Sequence, residues 1–237
     1  MSGRGKVFHR NGGVPEYNIA LVGSLGVGKS ALTVKYITKR FIMEYDPDLE
    51  GTYTKHEDWD GQELLVNIMD TCDKDDSEAM RYLKWADGFL VVYSITSRQS
   101  FDKAREYLEL VTQHLKNTSR ECPVALVGNK IDLERYRQIS KAEGSSLAAE
   151  VDCSFFETTA AEEFEHVEGV FQRVLQDIHQ EKYGHVLQPL VISEDKAAFF
   201  ASSRRPKSPR GSSDRKEEKN TAKKTPTTFN KLFKIFN

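Results

Sequence analysis

Gly23-Ser24-Leu25-Gly26-Val27-Gly28-Lys29-Ser30 fits the pattern G-x-x-x-x-G-K-[ST]. Before it, the run Ile19-Ala20-Leu21-Val22 makes residues 17–23 read as a buried strand. After it, residues 29–39 carry a helical pattern. A strand, a glycine turn and a helix in that order leave few folds open. Glycines permit the turn and let backbone N–H groups approach an anion, and the helix start adds partial positive charge. The pattern therefore predicts a phosphate cradle from Gly23 to Ser30 and on into Ala31. Lys29 is placed to reach β- and γ-phosphates, and the Ser30 hydroxyl to bind Mg²⁺.

The rest of the chain repeats the alternation. Residues 52–59 and 64–69 flank Asp60-Gly61, a favoured tight-turn pair, and predict a hairpin. Residues 89–94 and 124–128 are apolar strands, and 154–158 is a short one. Phe101, Ala104, Leu108, Val111 and Leu115 recur at helical spacing. Residues 141–150 predict a helix despite Gly144. Phe164, Val167, Phe171, Val174 and Ile178 mark another. Nearly all-apolar strands between helices indicate an α/β fold: a six-stranded, mostly parallel sheet with helices on both faces and one antiparallel edge strand.

Asn129-Lys130-Ile131-Asp132 follows the strand that ends at Gly128. A carboxylate there can accept two hydrogen bonds from guanine, from N1–H and the exocyclic amine. Adenine lacks that donor pair and would leave the buried charge unpaired. About a hundred residues after a phosphate loop, the string argues for guanine. It disfavours an adenine-nucleotide kinase or transporter ATPase, as does the lack of a substrate domain.

With these motifs in place, residues 17–183 resemble a Ras-type small GTPase, which implies the P-loop NTPase fold of small G proteins. The stretch KSALTVKYITKRFIMEYDPDLEGTY from Lys29 to Tyr53 is close to Ras itself. Within the superfamily the chain most resembles the Ras-related estrogen-regulated growth inhibitor group, which lacks a prenylation motif. The resemblance implies GTP or GDP and Mg²⁺ as ligands, a monomer, and effector and regulatory proteins as partners. It implies Phe41 against the guanine ring, Asp48 in the first switch and Asp70 holding Mg²⁺ through water. Asp73 and Lys74 fall in the second switch, where a GTPase orients its attacking water. Thr159, Ala160 and Ala161 form the last guanine-contact loop, with the Ala160 N–H near the guanine oxygen.

The departures from Ras bear on catalysis. Leu25 stands where Ras has glycine, and its branched side chain would crowd the γ-phosphate side. Asp48 replaces a threonine. It keeps an oxygen for Mg²⁺ but sets negative charge beside the γ-phosphate. Asp73 replaces a glycine, bringing bulk and charge. Lys74 replaces the water-positioning glutamine and has donors only. Ala161 replaces a lysine that orders its loop. The expected activity is GTP hydrolysis to GDP and phosphate, slow or impaired. Two alternatives stay open: other residues such as Asp73 or Asp75 orient the water, or the chain is a non-enzymatic scaffold whose nucleotide is structural or absent.

Charge divides the chain unevenly. Its formal net charge is −2, but residues 204–237 hold 11 basic and 3 acidic residues. Residues 1–203 accordingly carry a net −10 and the tail +8. The expected organisation is a polar lead at 1–15, a GTP-binding domain at 16–183, a disordered basic linker at 184–228 and an amphipathic end at 229–237. Phe229, Leu232, Phe233 and Phe236 in that end lie at helical spacing among lysines. An anionic membrane surface, a partner's groove, the chain's own body or no partner at all remain open for it. With no cysteine after Cys153, C-terminal prenylation is not expected. The basic run lacks interleaved aromatics, which argues against nucleic acid. No apolar run approaches the roughly 18 residues of a membrane span, and no signal-peptide segment follows the basic start. The odd, scattered Cys72, Cys122 and Cys153 suggest reduced thiols in the cytoplasm.

Overall fold

The computed structural model describes residues 14–41, 51–59, 61–72 and 79–184. The tail and its boundaries lie outside these residues.

Six strands are formed where apolar runs or a turn signal demand them. They are β1 (Glu16–Val22), β2 (Gly51–Trp59), β3 (Gln62–Asp70), β4 (Gly88–Ser94), β5 (Val124–Asn129) and β6 (Ser154–Glu157). Their order in the sheet is β2-β3-β1-β4-β5-β6. β2 pairs antiparallel with β3, from Gly51 opposite Asp70 to Trp59 opposite Gln62. The other pairings are parallel. Gly61, at φ 78°, supplies the left-handed residue that the tight hairpin needs.

The helices are α1 (Lys29–Thr38), α2 (Ala79–Trp85), α3 (Arg98–Thr118), α4 (Lys141–Glu150) and α5 (Phe164–Tyr183). Among the described residues, two helices begin on side-chain caps. Ser97 accepts from the Ser100 N–H, and Ser140 with Glu143 closes a reciprocal capping box at α4. α1 ends at Thr38, one residue short of expectation, because Lys39 turns left-handed and caps it.

Strand alternation divides the core into two layers. Ile19, Leu21, Ile68, Leu90 and Val127 face α1 and α5, where Tyr36 stacks on Phe171 at a centroid distance of 4.0 Å. Ala20, Val22, Phe89, Val91 and Leu126 face the opposite way, toward buried positions of α2, α3 and α4. The parallel strands β1, β4 and β5 end on one side of the sheet, each running into a loop. In sheets of this kind the crevice at those carboxyl ends is where ligands sit.

Two elements go beyond the sequence reading. The first is α2. The second is a 3₁₀ helix at Ile131–Tyr136, just after Lys130 turns left-handed at φ 71°.

Candidate functional site

A cleft of about 430 Å³ opens at the carboxyl ends of the strands. One end is the glycine loop between β1 and α1. Gly23, Gly26 and Gly28 all have positive φ, at 145°, 77° and 100°. A Cβ on Gly23 would stand 2.2 Å from the Val92 carbonyl oxygen. A Cβ on Gly26 would meet nothing within 4 Å. The loop is thus pressed onto β4 from below and left open above, the shape a phosphate cradle requires. Leu25, Gly26, Gly28, Lys29, Ser30 and Ala31 line this end. Leu25 is 65 % exposed. Gly23 and Ser24 do not line the cleft, and the Val27 side chain is buried in the core.

The Lys29 ammonium is buried and donates to the carbonyls of Gly23 and Ser24, the latter at 3.1 Å. It therefore lies folded across the loop. Asp70, at the end of β3, is buried beside it. Burial pushes its carboxyl pKa up, while a hydrogen bond from Ser30 and the charge of Lys29 oppose that. The Asp70 Oδ1 atom has no hydrogen-bond partner among the described residues. A buried carboxylate oxygen left unpaired beside a serine hydroxyl is a hard-oxygen pair that fits Mg²⁺.

The other end is built from the loops after β5 and β6. Asn129 Nδ2 donates to the Val27 carbonyl at 2.8 Å, and Lys130 Nζ to the Gly26 carbonyl at 2.6 Å. Both side chains tie this end of the cleft to the glycine loop. The Thr159 hydroxyl donates to Asp132 Oδ1 at 2.5 Å and accepts the Ala161 N–H at 3.0 Å. This leaves the other Asp132 oxygen for a ligand. Phe41, 42 % exposed, lines the wall with Lys130, Asp132 and the loop 159–161.

The structure therefore brings the P-loop, Phe41, Asp70, the 129–132 string and the 159–161 loop to one place. Asp48, Asp73 and Lys74 lie outside the described residues, so it supplies no geometry for them.

A sequence model of the Ras family matches residues 18–180. The chain belongs to the Ras family of small GTPases. It is similar to Ras-like protein family member 12 of Homo sapiens, 50% identical over 184 residues, 77% of this chain and 69% of that one. The Danio rerio protein of that name is 48% identical over 192 residues, 81% of this chain and 75% of its own. GTP-binding protein Rit2 of Mus musculus is 40% identical over 174 residues, 73% of this chain and 79% of its own. Ras-family proteins in general bind GTP or GDP with Mg²⁺ and hydrolyse GTP. No helix among the described residues is long and apolar enough to cross a membrane.

One lining residue of this Ras-family cleft, Leu133, escapes the sequence reading, while Thr71 and Cys72 belong to the segment read as the second switch. Thr71 and Cys72 follow Asp70 directly at the end of β3. The Thr71 hydroxyl donates to the Leu21 carbonyl at 2.8 Å and pins the exit of β3 to β1. Leu133 enters through the 3₁₀ turn, which no periodicity announces.

Proposed function

We propose that the cleft binds guanine nucleotide with Mg²⁺ and that the chain is a Ras-like signalling protein whose hydrolysis of GTP to GDP and phosphate is slow. The observation that carries this reading is the pairing of two ends in one cleft. At one end stand the open glycine cradle, Lys29, Ser30 and the unpaired Asp70 oxygen. At the other stands Asp132, aimed by Thr159. The carboxylate accepts two hydrogen bonds that only a guanine-like edge offers. The glycine N–H groups and Lys29 hold the β- and γ-phosphates, for which Lys29 exchanges its carbonyl partners. Ser30 and Asp48 would give oxygens to Mg²⁺, and Asp70 would hold it through water. Held there, Mg²⁺ would supply positive charge to offset the negative charge of the phosphates.

Slow turnover follows from the residues around the γ-phosphate. Leu25 sets an exposed branched side chain at the cleft wall and obstructs an arginine supplied in trans. Asp48 and Asp73 add negative charge where the transferred group is itself anionic. Lys74 cannot accept a hydrogen bond from the attacking water. The basic tail, net +8 over residues 204–237, attaches the chain peripherally to an anionic membrane from the cytoplasm.

The test is single-turnover GTP hydrolysis beside GTP and GDP affinities, with and without Mg²⁺. Tight, Mg²⁺-dependent binding with slow hydrolysis is expected, and Asp73→Gly with Lys74→Gln should speed it. Turnover as fast as Ras would overturn slow hydrolysis. No nucleotide binding would favour a non-enzymatic scaffold instead. Sedimentation with anionic vesicles, comparing the full chain with one ending at Ser203, tests the tail.

A further inference from the structure

Lys35 lies in the middle of α1 and is 7 % exposed, an unusual burial for a lysine. Its ammonium donates to the Glu162 carbonyl oxygen at 2.6 Å, 127 residues away. Glu162 directly follows the loop 159–161 that lines the base end of the cleft. Thr158, Thr159 and Ala160 at the start of that loop are buried, Ala160 within the core, whereas residues 161–163 are exposed. The loop's start is held to β5 by the Thr158 N–H on the Gly128 carbonyl at 2.9 Å. Past Ala160 the chain must reach α5, whose N-cap residue Glu163 makes no side-chain cap bond. Ala161 has no polar side chain. Lys35 therefore supplies a charge-assisted tether at the weak end of the loop.

The tether is in series with the carboxylate that reads the base. Ala161 N–H donates to the Thr159 hydroxyl, and that hydroxyl donates to Asp132. If residues 161 and 162 drift, Thr159 loses the bond that orients it, and Asp132 loses the bond that fixes its free oxygen. α1 itself begins in the phosphate loop at Lys29, so one rigid helix spans both ends of the cleft.

We propose that Lys35 is a positioning residue for guanine specificity, holding the 159–162 loop so that Asp132 meets the exocyclic amine of the base. The inference rests on the guanine-binding reading above. Lys35 does not touch the base. It acts through Glu162, Ala161 and Thr159.

The test compares dissociation rates of GDP and of inosine diphosphate, which lacks the exocyclic amine, from the full Mg²⁺-loaded chain. Lys35→Met removes the donors and keeps the length. Because the ammonium is buried and the Glu162 residue is exposed to water, this change need not destabilise the fold. The expected result is GDP release faster by about tenfold, the worth of one charge-assisted bond, with inosine diphosphate release accelerated at least about threefold less, since it keeps the N1–H and the ring oxygen but lacks the amine. Lys35→Arg, which keeps a donor, should stay within about twofold of the unaltered chain on both. Equal acceleration of both nucleotides by Lys35→Met would mean a general loosening and would overturn the proposal. So would an unchanged GDP rate, or an arginine chain as fast as the methionine one. Failure of the unaltered chain to bind GDP would overturn the guanine reading itself, and this inference with it.

Discussion

Gly28 and Asn129 are in contact across the cleft floor: a Cβ on Gly28 would stand 2.3 Å from Asn129 Nδ2. Asn129 can donate to the Val27 carbonyl only because that Cβ is missing. The contact joins the glycine loop to the Asn129–Asp132 string, so each motif depends on the other's shape.

Gly28→Ala should therefore fail twice. The residue sits at φ 100°, where a side chain costs about 1–2 kcal/mol. The new methyl also displaces the Asn129 amide and frees the loop. Expected outcomes are a lower melting temperature and GDP affinity reduced by at least about tenfold, read by calorimetry and by nucleotide titration. Unchanged affinity would show that the contact is incidental.

Asp132→Asn should change which base is accepted. Asparagine offers a donor where aspartate offers an acceptor. Guanine then faces donor against donor, while xanthine, with a carbonyl in place of the amine, finds a partner. GDP affinity should fall by roughly a hundredfold, and xanthosine diphosphate affinity should rise. Competition titration with the two nucleotides measures both. A parallel loss of both would mean that Asp132 supports the loop rather than reads the base.

Much of this arrangement was legible in the sequence because its parts are local. A glycine loop between an apolar strand and a helix, the turn pair Asp60-Gly61 and the heptad-like run from Phe101 to Leu115 each declare themselves within about a dozen residues. What stayed hidden was short or tertiary. α2 spans seven residues and buries Ala79, Tyr82 and Leu83, too little for a period to show. Lys35 looks like any solvated helix lysine, since its role arises from a carbonyl 127 residues away. The bond from Thr159 to Asp132 likewise joins two motifs whose spacing alone does not predict contact.

The start of α4 should be a source of acid sensitivity. The hydrogen bond from Arg98 first, and those from the Ser140 N–H and hydroxyl, lower the Glu143 pKa from 4.5 to about 2. A lowered folded pKa means that stabilisation is complete above 4.5 and is lost as pH falls toward 2. Glu143→Gln should thus lower the melting temperature at neutral pH, and the gap to the unaltered chain should close across that window. A gap independent of pH would mean that the charge on Glu143 contributes nothing to the cap.

The three cysteines should separate by reactivity. Burial pushes the Cys122 and Cys153 thiols up to about 12, so at pH 8 roughly one in ten thousand of each is thiolate. Cys72 instead lines the cleft, two residues beyond Asp70. A maleimide or disulfide reagent should modify one thiol fast and two slowly, and Cys72→Ser should remove the fast phase. Mg²⁺ with GDP fills the space that the reagent must cross, so it should slow the fast phase by about tenfold or more. Mass spectrometry of the labelled peptides identifies the site. A fast phase indifferent to nucleotide would place the bound ligand away from the β3 end of the cleft, and with it the assignment of Asp70 to Mg²⁺ would fall.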